Sequence, residues 1–150
     1  MSKIIVAESA GFCFGVNRAI NILYKLIDEN KPACTLGPII HNMQMVNELR
    51  EKGVRTIDKI SEANENETIV IRSHGVPQSI VDEINERHLD YIDATCPFVS
   101  KIHKIVSETD DDSIVIIAGD KNHPEVQGIM GHCKSKCYTF KNQEELQELF

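Results

Sequence analysis

Short runs rich in Ile and Val alternate with amphipathic stretches of helical period along almost the whole chain, and this alternation limits the fold more than any other feature. Strands joined through a helix pair in parallel, because the helix carries the chain back across one face of the sheet. Ile4–Ala7 reads as the first strand, followed by a helix over about residues 16–28 with Val16, Ile20, Leu23 and Ile27 on one face. Cys34–Leu36, Val54–Ile57, Glu67–Arg72, Tyr91-Ile92, Ser113–Ala118 and Cys137–Phe140 read as further strands, with Ser113–Ala118 a buried one. Between them lie a helix through Met43, Val46 and Leu49, ended by Gly53, and another with Pro77 in its first turn and Ile80, Val81 and Ile84 inside. Pro97 opens a helix carrying Val99, Ile102, Ile105 and Val106, Pro124 opens the next, and a last one begins at Asn142. The expected fold class is α/β, built from repeated small parallel-sheet units, with ligands gathered at the carboxyl ends of the strands.

The turns carry a repeat. Cys13 stands in Gly11-Phe12-Cys13-Phe14-Gly15, between the first strand and the first helix, and Cys96 stands 83 positions later, just before Pro97. Gly37-x-x-x-His41 and Gly119-x-x-x-His123 lie 82 positions apart, each at the next strand-to-helix turn and each followed by a short helix and a strand. The expected organisation is a first α/β unit, residues 1–95, with Cys13, His41 and His74. An incomplete second unit, 96–150, holds Cys96, His123 and Glu125.

His41, His74 and His123 share one setting, each following a strand and standing at or just before a helix N-terminus. Free N–H groups and partial positive charge at such termini suit a phosphate, and imidazole adds a donor and, when protonated, a charge. Three such ends on one face would hold a diphosphate despite a net charge of −7; singly, each is also an ordinary capping or buried histidine. Glycines leave Cys13 uncrowded, and a helix N-terminus favours its thiolate. Two distant turn cysteines suit an iron–sulfur cluster, whose ligands come from separate loops, better than a zinc ribbon with its closely spaced pairs. The repeat calls for a third cysteine in a third unit outside this chain, while a lone turn cysteine is otherwise a small buried hydrophobe. Glu125, two residues after His123, would relay protons near an anion site or simply complement the dipole of a first turn. Cys34 reads as core, His132-Cys133-x-x-x-Cys137 as structural or exposed, and His88 and His103 as surface residues on helices.

Other functions are poorly served. Basic residues number 16 against 23 acidic ones, no Lys/Arg cluster stands out, and tryptophan is absent, so neither a nucleic-acid platform nor an anionic membrane is a natural partner. The longest apolar stretch, Ile114–Ala118, falls far short of the roughly twenty residues that span a bilayer, and the start lacks a signal peptide's apolar segment. The five cysteines then fit a cytoplasmic protein that uses thiols for metal binding, catalysis or burial.

Five motifs together resemble one family: Ala10-Gly11-Phe12-Cys13-Phe14-Gly15-Val16, Gly37-Pro38-Ile39-Ile40-His41-Asn42, Arg72-Ser73-His74-Gly75, Asp93-Ala94-Thr95-Cys96-Pro97 and His123-Pro124-Glu125-Val126-x-Gly128. They are similar, in order and approximate spacing, to those of the 4-hydroxy-3-methylbut-2-enyl diphosphate reductase (LytB) family. The resemblance implies an iron–sulfur oxidoreductase that ends the non-mevalonate route to isoprenoids. It would remove the allylic hydroxyl of its diphosphate substrate with two electrons, usually from ferredoxin or flavodoxin, and two protons. By similarity Cys13 and Cys96 are ligands of a 4Fe-4S cluster, His41, His74 and His123 contact the diphosphate, and Glu125 is the proton relay. The implied fold is a trefoil of three α/β units around the cluster.

Three such units need roughly twice this length. The third cluster cysteine, a threonine near the relay and further diphosphate contacts are expected beyond Phe150, so the chain reads as an N-terminal fragment, inactive alone. Two other classes remain open: a non-enzymatic iron–sulfur or redox module completed by another chain, and a cluster-free phosphate-ester hydrolase built on the three histidines. The second finds no paired carboxylates at those turns.

Overall fold

A computed structural model describes residues 3–8 and 10–150; the first two residues, which enter the argument on targeting, and Ser9 lie outside the described residues. Helix α1 (Phe14–Asp28) leads into a parallel sheet of β1 (Ala33–Leu36), β2 (Arg55–Ile57), β3 (Thr68–Ile71) and β4 (Tyr91–Asp93), in the order β2-β1-β3-β4. Helix α2 (Met43–Glu51) joins β1 to β2, and α3 (Gln78–Glu86) joins β3 to β4. Register is direct: Cys34 faces Arg55 on one side and Ile69 on the other, and Ile71 faces Asp93.

The sheet is buried on both faces, which is why its central strands read as unbroken apolar runs. Ala33, Val70 and Ala94 pack with Ala19, Ile20, Leu23 and Leu26 of α1 and Leu49 of α2. Cys34, Leu36, Ile69 and Ile71 pack on the opposite face with Ile57, Val76 and Ile84 of α3. Cys34 is therefore core, as read, and burial lifts its thiol to about 11.

The second half repeats the plan on a smaller scale. Helix α4 (Pro97–Ser107) precedes β5 (Ile114–Ala118), α5 (Pro124–His132) links β5 to its parallel partner β6 (Lys136–Phe140), and α6 (Gln143–Glu148) follows. Cys-capped helix, strand, Gly-x-x-x-His turn, helix and parallel strand thus recur in the same order in both halves.

Several expectations are corrected. Ile4–Ala7 forms no strand; Ile4, Ile5 and Val6 are 89%, 77% and 76% exposed, because no strand among the described residues pairs with them. Pro77 is the N-cap of α3 rather than part of its first turn. Strand β5 is not buried: Ile114 and Ile116 are 59% and 42% exposed, and only Val115 and Ile117, on its other face, are half-buried. The buried stripe of α4 is Val99-His103-Val106, while Phe98, Ile102 and Ile105 face outward. His103, expected at the surface, is 8% exposed, whereas His88 is exposed as read but lies just past α3 rather than on a helix, with a positive φ of 55°.

Candidate functional site

The carboxyl ends of the strands bring the loop histidines together. His41 follows β1 just before Asn42, the N-cap of α2, whose side chain accepts from the Met45 N–H. His74 follows β3, and the preceding Ser73 donates from both its N–H and its hydroxyl to the Ile39 carbonyl, fastening the His74 loop to the His41 loop. His123 is the N-cap of α5, its Nδ1 accepting the Glu125 N–H at 3.2 Å. That bond leaves Nδ1 without a proton and Nε2 as the donor of the neutral ring. The ring centroids of His41 and His74 lie 4.7 Å apart, those of His41 and His123 6.0 Å, and those of His74 and His123 5.8 Å. Residues 82 positions apart in sequence have become neighbours.

Electrostatics at this cluster are dominated by His74. Burial, then the nearby His41, Arg72 and His123, push it down to about 4, so the ring is neutral near pH 7. Its Nδ1 is buried without a hydrogen-bond partner among the described residues, and so is the Nε of Arg72, whose guanidinium packs over Gly37. Burial also depresses Arg72. Unpartnered polar atoms in such a setting are costly, and an anionic ligand is the natural partner for them.

The two turn cysteines are held by a second set of links. Cys13 caps α1 in extended conformation and Cys96 caps α4 with φ −57° and ψ 131°, and neither side chain is used for capping. Cys13 is exposed and Cys96 half-buried. Arg18, one turn into α1, donates to the carbonyls of Thr95 at 3.2 Å and Asp93 at 3.1 Å, while the Asp93 carboxylate accepts the Thr95 N–H at 2.8 Å. The Cys96 N–H donates to the Ser73 carbonyl at 2.9 Å, so the cysteine turn and the His74 loop are one unit. Gly15 lets the thiol in: a Cβ there would sit 2.5 Å from the Cys96 Sγ. Among the described residues no group of three or more His, Cys, Asp or Glu forms a complete metal site. Both thiols nonetheless suit partial ligation, being at helix N-termini with no hydrogen bond spent on the cap.

Glu125 is half-buried in the first turn of α5, two residues from the His123 ring. His132 and Cys133 are half-buried, the Cys133 thiol donating to the Ile129 carbonyl, and Cys137 is pushed up to about 12 by burial and the neighbouring Cys133, which fits a structural reading. Sequence reasoning missed Arg18 and His103. No periodic signal marks Arg18, whereas the 4-then-3 spacing of Val99, His103 and Val106 marks His103 as part of a buried helical stripe.

A parallel α/β scaffold with three histidines at its strand ends and two thiols at helix caps defines the class: an α/β protein that gathers its histidines at the carboxyl edge of its sheets. Comparison with known proteins gives the particular family. The family model described as LytB protein matches residues 4–150, and the chain belongs to that family. A 4-hydroxy-3-methylbut-2-enyl diphosphate reductase of Alkaliphilus oremlandii is 39% identical over 150 residues, covering 98% of this chain and 53% of its own length. One of Clostridioides difficile is 41% identical with the same coverage. A solved structure of (E)-4-hydroxy-3-methyl-but-2-enyl diphosphate reductase superposes with a TM-score of 0.82 at 41% identity, over 99% of this chain and 54% of that one. The reductase from Plasmodium falciparum gives 0.85 at 28% identity, over 95% and 46%. The chain spans about half the length of the curated relatives it matches. Among the described residues no helix is long and apolar enough to cross a membrane.

Proposed function

We propose that this chain supplies the diphosphate site and two cluster ligands of a reductase that removes the allylic hydroxyl of 4-hydroxy-3-methylbut-2-enyl diphosphate, yielding isopentenyl and dimethylallyl diphosphates. The observation that carries the reading is the convergence of His41, His74 and His123, with centroids 4.7–6.0 Å apart, around a buried His74 Nδ1 that has no hydrogen-bond partner among the described residues. Imidazoles there donate to phosphate oxygens, and the charge of a bound diphosphate draws a further proton onto His74. Fixing the diphosphate fixes the allylic end of the molecule, which converts a chance encounter into a held geometry.

Cys13 and Cys96 would hold two irons of a 4Fe-4S cluster, a group that when bound supplies electrons singly and a Lewis-acidic iron. Glu125, beside the His123 ring, carries the proton with which the hydroxyl departs as water. Two electrons and two protons balance the reaction, the electrons coming from a one-electron donor such as ferredoxin or flavodoxin. The separation into a four-stranded and a two-stranded sheet supports reading 1–95 and 96–150 as two units of a trefoil, the second incomplete.

Anaerobic reconstitution of the intact protein with iron and sulfide, followed by titration with the allylic diphosphate, tests this. The expected result is a cluster absorbance that changes on addition of the diphosphate and loses that change in His41→Ala and His74→Ala. A stable cluster indifferent to the diphosphate would favour a redox module instead.

A further inference from the structure

A second pair of histidines lies directly behind the first cluster. His103 of α4 and His132 of α5 stack with centroids 4.1 Å apart and planes 23° off parallel. His132 Nε2 stands 3.1 Å from the Val76 carbonyl, and since a carbonyl only accepts, that nitrogen carries the proton. This bond ties α5 to the loop of His74. His103 sits deeper, where three elements meet. A Cβ on Gly75 would lie 2.5 Å from its Cε1 and 3.1 Å from the Thr95 Cγ2, so ring, His74 loop and Cys96 turn are in mutual contact. A Cβ on Gly128 would lie 3.2 Å from its Nε2 and 3.4 Å from the His74 carbonyl oxygen.

Packing alone does not account for an imidazole here. His103 Nε2 is buried with no hydrogen-bond partner among the described residues, and a phenyl ring would fill the same space without a stranded polar atom. Burial and His132, partly opposed by Asp93, push His103 down to about 4, so the ring is neutral and one nitrogen holds a proton. The Nε2 and the His74 carbonyl border the same small space left by the absent side chain of Gly128.

We propose that His103 is a positioning residue for His74: its ring wedges the Gly75 turn in place, and its free Nε2 donates to the His74 carbonyl when a diphosphate draws His74 into the site. The proposal rests on the reading of His74 as a diphosphate contact. It places no reacting atom at His103. Gly128 then has a defined role, keeping open the space across which the hydrogen bond forms.

The test uses the intact protein, inorganic diphosphate as probe, and the ring resonances of His74 by NMR. His103→Phe keeps the ring shape and removes the donor, His103→Gln keeps a donor, and Gly128→Ala fills the gap while leaving both histidines. The loss of one hydrogen bond on a diphosphate-contacting residue is expected to weaken binding about tenfold in His103→Phe and Gly128→Ala, with partial recovery in His103→Gln. In wild type the His74 ring resonances should move on binding, and in His103→Phe they should already differ before ligand is added. A purely structural role would lower Tm in all three variants and leave the His74 resonances and the diphosphate Kd at wild-type values, which overturns the proposal. If His103→Phe does not fold, Gly128→Ala decides the question by the same two readouts. Absence of diphosphate binding in wild type, or binding unaffected by His74→Ala, overturns the diphosphate reading itself. Altered His74 resonances in ligand-free His103→Phe would still show positioning in that event.

Discussion

His74 is uncharged near neutral pH because burial, His41, Arg72 and His123 each oppose its protonation, yet the ligand proposed for it carries negative charge. Bound diphosphate reverses the sign of the local field and raises His74 from about 4, so binding takes up protons as pH falls toward the value at which the free ring titrates. Calorimetry in two buffers of different ionisation heat should show net proton uptake, and His74→Gln should reduce it; equal heats would refute the coupling. Stability without ligand runs the opposite way. His103 has a folded value of about 4 against about 6.5 unfolded, so its contribution is complete above about 6.5 and is lost as pH falls through 4. The difference corresponds to about 3 kcal/mol for this buried ring, and urea midpoints should fall between pH 7 and 4.5 less steeply in His103→Phe than in wild type. At this scale the sequence was informative where a residue stood beside a breaker or a cap: His123-Pro124 and Cys96-Pro97 announce helix starts, and both residues are N-caps. It misled at His103 because polarity suggested solvent, whereas position on the Val99–Val106 stripe decides burial.

At the scale of elements, the two Cys-capped helices are set by a few specific contacts. Gly15→Ala would place a methyl 2.5 Å from the Cys96 Sγ and 2.9 Å from its Cβ, so α1 or the Cys96 turn must move. Overpacking of this kind costs about 1–3 kcal/mol, and reconstituted iron per chain should fall with it. Arg18→Met removes two hydrogen bonds to the turn carbonyls, costing about 1–2 kcal/mol; iron incorporation should decline while His41 and His74 stay in place. Unchanged iron content in both variants would separate the cysteine turns from metal binding. Helices and the central strands could be read locally because their burial is repeated along one face or on both. Ile4–Ala7 could not, since a strand exists only with a partner, and no periodicity states whether one is present. Strand β5 has the same composition as a buried strand, but its second face is covered only if another layer packs there.

In the whole molecule the histidine cluster spans both sheets, His41 and His74 following strands of the first and His123 following β5 of the second. Other links also join the halves at this edge: Cys96 N–H to the Ser73 carbonyl, His132 to the Val76 carbonyl, Gly131 against Pro77, His103 against the Gly75 turn, and Gly128 against the His74 carbonyl. A ligand held by all three histidines therefore adds a further bridge between the two halves. At a hundredfold excess over its Kd, inorganic diphosphate should stabilise the protein by about 2.7 kcal/mol. That stabilisation should appear as slower hydrogen exchange in both strand-end loops together, the one before α2 and the one before α5. His123→Ala is the deciding variant. If the site is shared, it should abolish the added protection in the His41 loop, although that loop belongs to the other sheet. Persistence of full protection around His41 in His123→Ala would mean that the first sheet binds the diphosphate by itself.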